Sequence, residues 1–176
     1  MKVSLSTQIL VGFTITLGAI ATLSKPSYAQ QRFFCDEEQL VTIVRTERGE
    51  IPIIRWLDRS FSPPWTPIER CKKVSARFER FNDNGTLKYI KAAQMNNQPV
   101  LCVAGYKGGA CLPNGLLVTF KSGTDPNLTL TRLLDRRAWA TGQIINLSGG
   151  KSDRELIFEV NGETYFDMES WLAQEK

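Results

Sequence analysis

The sequence predicts an α+β fold: an antiparallel sheet built from hairpins, packed with two main helices and held by two disulfides. Three observations predict it. Short β-rich runs recur in pairs around Gly or Asn turns. Two amphipathic stretches at helical spacing interrupt them, and apolar faces on both element types require a layered core. Four cysteines, all downstream of a secretory-type leader, form an even set suited to two bridges.

Residues 40–46 (LVTIVRT) and 51–56 (IPIIRW) carry β-branched side chains in near alternation. Glu47-Arg48-Gly49-Glu50 between them supplies a turn, so a first hairpin is predicted. Residues 60–64 (SFSPP) read as loop. Thr66-Pro67-Ile68-Glu69 then marks a helix start. The Thr66 hydroxyl can cap, Pro67 suits a position whose amide has no helical partner, and Glu69 completes a capping box. Ile68, Cys71, Val74, Phe78 and Phe81 fall on one stripe of a helix over 66–81, which should end near Asn82. The charges Arg70, Lys73, Arg77 and Arg80 lie largely off that stripe. Residues 87–94 and 99–104 flank Asn96-Asn97 as a second hairpin, and 116–121 (LLVTFK) is a strand after Pro113-Asn114-Gly115.

A second helix is predicted over 127–141, with Leu130, Leu133, Leu134 and Ala138 as its buried stripe. Residues 143–147 read as a strand and 148–153 (SGGKSD) as a linker. Residues 155–160 and 163–166 form a third hairpin about Asn161-Gly162, and 168–176 closes with a short helix carrying Trp171. The organisation expected is a signal peptide over 1–29, a globular domain over 30–148 and a C-terminal hairpin and helix extension over 149–176.

The leader carries Lys2, then an uncharged apolar run over 9–23, then Ser24-Lys25-Pro26-Ser27-Tyr28-Ala29. Small residues at 27 and 29 fit a signal peptidase site. The apolar run is shorter than the roughly 20 residues of a spanning helix, so cleavage after Ala29 is expected over anchoring. Cleavage removes two of 22 basic residues and none of 18 acidic ones, leaving a net formal charge of +2. So small a charge gives no argument for nucleic acid.

Cys35, Cys71, Cys102 and Cys111 allow three pairings. Cys102–Cys111 is favoured, because Gly105-Tyr106-Lys107-Gly108-Gly109 can fold back over the short span between them. Cys35–Cys71 follows by exclusion and would tie the mature N-terminus to the first helix. No C-x-x-C pair exists and there is no histidine, so Ser-His and Cys-His catalysis and most zinc patterns are unavailable. Gly149-Gly150-Lys151-Ser152 lacks the preceding Gly of a phosphate-binding loop. Residues 80–91 have Arg80 and Lys91 where a calcium loop needs Asp and Glu. No catalytic, metal or cofactor residue is therefore expected.

Carboxylate pairs can hydrolyse glycosides without histidine, and Asp58, Glu69, Asp83, Asp135 and Asp153 are the candidates. Asp58 and Glu69 flank an aromatic loop of Trp56, Phe61 and Trp65, the one hint of a ligand-facing, sugar-stacking cleft. Packing explains the same residues: Trp56 ends a strand and Trp65 precedes a helix. Trp139 and Trp171 sit on predicted helices, where core packing is the commoner use. Asn127-Leu128-Thr129 and Asn146-Leu147-Ser148 match the glycosylation acceptor pattern.

One constellation carries a family likeness. It comprises Phe34-Cys35, Thr42 to Arg48 with Gly49, Ile54-x-Trp56 with Phe61, Thr66-Pro67-x-x-Arg70-Cys71 and Val74-Ser75-x-Arg77-Phe78. Asn97-x-Pro99-Val100-x-Cys102-Val103, Cys111 and Leu116-Leu117-x-Thr119 continue it. From Phe34 to about Asn146 the chain resembles the cyanobacterial circadian-oscillating-protein domain family. The resemblance implies an exported protein of a cyanobacterial envelope with a link to rhythmic expression, and it implies no reaction. The expected function is a non-enzymatic module of the periplasm or envelope that binds a ligand or partner or attaches peripherally to membrane. A carboxylate-based hydrolase of envelope glycans is the alternative.

Overall fold

The computed structural model describes residues 31–133 and 156–176. The leader, the end of the second helix beyond Leu133, the strand at 143–147, the linker at 148–153, Asp135, Trp139, Asn146 and Asp153 lie outside the described residues.

Eight strands and three helices occur among the described residues. They are β1 (Phe33–Asp36), β2 (Val41–Thr46), β3 (Gly49–Arg55), α1 (Pro67–Asp83), β4 (Tyr89–Met95), β5 (Gln98–Ala104), β6 (Cys111–Thr119), α2 (Pro126–Leu133), β7 (Ile157–Val160), β8 (Glu163–Asp167) and α3 (Met168–Gln174). All three predicted hairpins form, and the fold is α+β with antiparallel pairing throughout. The strands divide into two sheets, ordered β1-β2-β3 and β6-β5-β4-β8-β7. Asn96 and Asn97 take φ of 50° and 58°, and Asn161 and Gly162 take 52° and 79°. These left-handed pairs match the twist of the flanking strands, as a two-residue hairpin requires.

Each helix starts on the same device, a short polar side chain that accepts amides with no helical partner. Thr66 Oγ1 accepts from Glu69 N at 3.3 Å, Asp125 Oδ1 from Asn127 N at 2.9 Å, and Asp167 Oδ1 from Ser170 N at 2.8 Å. The Thr66 amide donates to Pro64 O at 2.8 Å rather than to the Glu69 side chain. Only half of the predicted capping box is therefore made.

Helix α1 joins the two sheets. It packs along β1 and β2 on one side and reaches β6 on the other. Cys71, Val74, Phe78 and Phe81 are buried along it as the spacing predicts, with Ser75 added and Ile68 only half-buried. Cys35 bonds Cys71, and Phe33 stacks on Phe78 at 5.4 Å. Glu79 accepts the amides of Arg32 at 2.9 Å and Phe33 at 2.7 Å, which fixes the start of β1 on the helix. Cys102 bonds Cys111 across β5 and β6.

The course of β6 departs from the expectation. Strand β6 begins at Cys111 and runs through Pro113-Asn114-Gly115 as a bulge instead of starting after it. The register steps from Cys102↔Leu116 to Ala104↔Cys111, with Asn114 at φ 58°. A bulge and a turn draw on the same residue types, so the composition alone does not separate them. Strand β8 lies inside the larger sheet between β4 and β7, pairing Tyr89 with Asp167 and Lys91 with Tyr165. Phe166, Met168, Trp171 and Leu172 join the same core cluster as Phe33, Phe78 and Leu101.

Candidate functional site

Chain leaving β3 crosses to α1 through the loop 56–66, and this loop, α1 and β6 enclose a cleft of about 300 Å³. Trp56, Phe61 and Trp65, the three aromatics singled out in the sequence, all line it. Their roles differ. Trp56 is only 3% exposed, and its indole N–H donates to Thr42 Oγ1 at 3.0 Å. The Ser75 hydroxyl donates to the same oxygen at 3.0 Å. This buried knot fixes the root of the loop to β2 and α1. Trp65, by contrast, is 42% exposed at the rim.

Three cations of α1, at Arg70, Lys73 and Arg77, line the same cleft. The Arg70 guanidinium lies 3.8 Å from the Phe61 ring centre and 4.8 Å from that of Trp56. Lys73 Nζ lies 5.2 Å from the Trp65 ring centre. Arg77 Nη1 donates to Leu117 O at 2.8 Å, which anchors the side chain across β6. The aromatic loop thus presents its faces to helix cations. Burial lowers the pKa of both Arg70 and Arg77, with Asp58 opposing the shift at Arg70 and Arg80 adding to it at Arg77. The spacing 70, 73, 77 is one helix face. It was visible in the sequence, but nothing there placed a loop of aromatics over it.

Asp58 ties the 56–66 loop to the chain just beyond β6. Its carboxylate accepts from the Ser60 hydroxyl and, at 2.9 Å, from the Ser60 amide, and it lies 3.3 Å from Lys121 Nζ. Lys121 also donates to the Ser60 hydroxyl and sits 5.3 Å from the Phe61 ring centre. The Ser60 hydrogen bonds and Lys121 lower the Asp58 pKa to about 2. So low a value suits a permanent anion and not the proton donor of glycoside cleavage. Glu69 and Asp83 stand near opposite ends of α1, about 20 Å apart along its axis at 1.5 Å per residue. That exceeds the roughly 5–9.5 Å of paired glycosidase carboxylates.

The profile described as circadian oscillating protein COP23 matches residues 32–173. The chain belongs to this family. The COP23 match takes in the cleft and continues through β7, β8 and most of α3, past the point near Asn146 where the likeness visible in the residues stops. No curated protein and no solved structure matches the chain.

Two further polar groups of this COP23 domain have structural partners. Asn127 Oδ1 accepts from Thr164 N at 2.9 Å and its Nδ2 donates to Gly162 O at 3.5 Å, so this acceptor-pattern asparagine ties α2 to the β7–β8 turn. On the larger sheet, buried Lys91 lies 2.7 Å from Glu163. The Tyr165 hydroxyl lies 3.0 Å from Gly109 O and 3.2 Å from Glu163, two acceptors that share its one proton. No group of three or more His, Cys, Asp or Glu placed to hold a metal occurs among the described residues.

Proposed function

We propose that this COP23-family chain is an exported envelope protein that works by binding, with the cleft between α1, β6 and the 56–66 loop as its binding site. One observation carries the reading: Arg70 lies against Phe61 and Trp56 while Lys73 and Arg77 line the same space. Rigid aromatic walls and pre-placed charges are what a recognition pocket needs, because little ordering entropy is lost when a ligand enters. The hydrolase reading needs a proton donor, a role that Asp58, held ionised by Ser60 and Lys121, does not suit, and Glu69 and Asp83 stand too far apart to act as a pair. Export is supported by the leader pattern and by two disulfides, which persist in oxidising compartments. No described helix is long and apolar enough to cross a membrane.

Two measurements test this. Intact mass of native protein should begin at Gln30, and the protein should fractionate with the periplasm or envelope. Incubated with envelope glycans, the purified protein should release no reducing ends. Release that Asp58→Asn abolishes would establish the hydrolase instead.

A further inference from the structure

We propose that the cleft receives a small organic phosphate, with Arg70, Lys73 and Arg77 on its phosphoryl oxygens and the Trp65 rim against its organic body. The proposal rests on the binding reading above and names the ligand class. Among the described residues none of these three cations forms an ion pair, whereas Lys72, Lys91 and Lys121 each do. Three positive charges lie on one helix face, Arg70 and Arg77 part-desolvated, with only the more distant Asp58 carboxylate acting on Arg70, and an anion in the cleft would offset them. A dianionic phosphate offsets them better than a single carboxylate does.

The donor geometry fits as well. The Arg70 guanidinium lies against the Phe61 and Trp56 rings, and a guanidinium carries its five N–H donors in its own plane. Arg77 uses one donor on Leu117 O and keeps others. The two arginines therefore offer planar forks, the geometry that oxyanions accept in bidentate fashion. Val74 beside them on α1 and Leu116 and Val118 on β6 give the cleft an apolar wall. At about 300 Å³ the space equals roughly ten water volumes, enough for a phosphoryl group with a single ring or a short glycerol body. The same phosphate chemistry arises in a soluble metabolite or in a phospholipid headgroup.

Calorimetry on the purified, oxidised protein distinguishes these cases, using phenyl phosphate, neutral phenyl glucoside and a monomeric short-chain phosphatidic acid. Phenyl phosphate should bind, its affinity should fall with added salt, and phenyl glucoside should bind far more weakly. Lys73→Gln and Arg70→Gln should each reduce phenyl phosphate affinity by about tenfold or more, the loss expected for a charge-assisted hydrogen bond. Lys73 is exposed, so its variant keeps the fold even if Arg70→Gln loosens the loop. Tighter binding of the phosphatidic acid than of phenyl phosphate assigns a lipid source, and the reverse order a soluble one. Glucoside binding as tight as phenyl phosphate overturns the phosphate assignment but leaves the binding role standing. Phosphate binding that neither variant weakens, or no binding of any probe, also overturns the assignment. Capture of ligands from native envelope then decides the binding role separately.

Discussion

Asp58 ties the 56–66 loop to Lys121 at the level of single atoms, taking two hydrogen bonds from Ser60 and pairing with Lys121. Folding lowers its pKa from 3.8 to about 2. The stability this adds is fully present above the unfolded value and is lost as pH falls through the folded one. Carboxyl NMR should give a titration midpoint near 2 for Asp58, moving up towards 3.8 in Ser60→Ala. A midpoint already near 3.8 in the native protein would mean that the Ser60 and Lys121 contacts are not held in solution. A second residue-scale asymmetry concerns Lys91 and Glu163. Burial disfavours the Lys91 charge, but hydrogen bonds to Glu163 and Tyr165 outweigh it and raise the pKa. Glu163 is half exposed and can turn to water, while Lys91 cannot. Glu163→Ala should therefore destabilise by about 1–3 kcal/mol and Lys91→Met by less, as read by urea titration. The opposite order would show that Glu163 depends on Lys91 and not the reverse.

Among the elements, α1 and β6 decide the cleft's shape. Helix α1 holds β1 through Cys35–Cys71, Phe33–Phe78 and the Glu79 carboxylate. Phe78→Ala should cost about 3–5 kcal/mol, the range for emptying a buried aromatic site. The bulge in β6 depends on Gly115, where an added Cβ would sit 2.7 Å from Leu112 O and 3.0 Å from Val103 O. Both neighbours are backbone and cannot swing aside. Gly115→Ala should lower the melting temperature and loosen phenyl phosphate binding together, because β6 walls the cleft. An unchanged melting temperature would show that the bulge relaxes freely. Most of α1 was legible in the sequence, since capping, Pro at the first position and an apolar stripe are local signals. The bulge was not, because Pro113-Asn114-Gly115 serves a turn equally well. Strand β1 was also missed: four residues are too few to show alternation.

Over the whole molecule, β8 pairs with β4 across a long stretch of sequence. Removing 149–176 would leave β4 as a bare edge and strip Tyr165, Phe166, Met168 and Trp171 from the interior, where each is at most 3% exposed. The truncated chain should be insoluble or molten, with lost near-ultraviolet dichroism. A cooperative melt from residues 30–148 alone would show that the C-terminal hairpin is a separable unit after all. The disulfides act at the same scale. The wider bridge, Cys35–Cys71, should stabilise by roughly 4 kcal/mol and the narrower Cys102–Cys111 by roughly 3 kcal/mol through unfolded-state entropy.

By itself the sequence determined what depends on near neighbours: the hairpin turns at Asn96-Asn97 and Asn161-Gly162, the start and buried stripe of α1, and the short Cys102–Cys111 link. Its aromatic loop was also visible, read as a platform for sugar. Only the tertiary structure decided that Trp56 and Phe61 face Arg70, that β8 enters the sheet beside β4, and that Asp58 is bound to Lys121. Those arrangements join residues far apart in the chain. Their energy comes from burial and charge pairing across the packed elements, which no local pattern encodes.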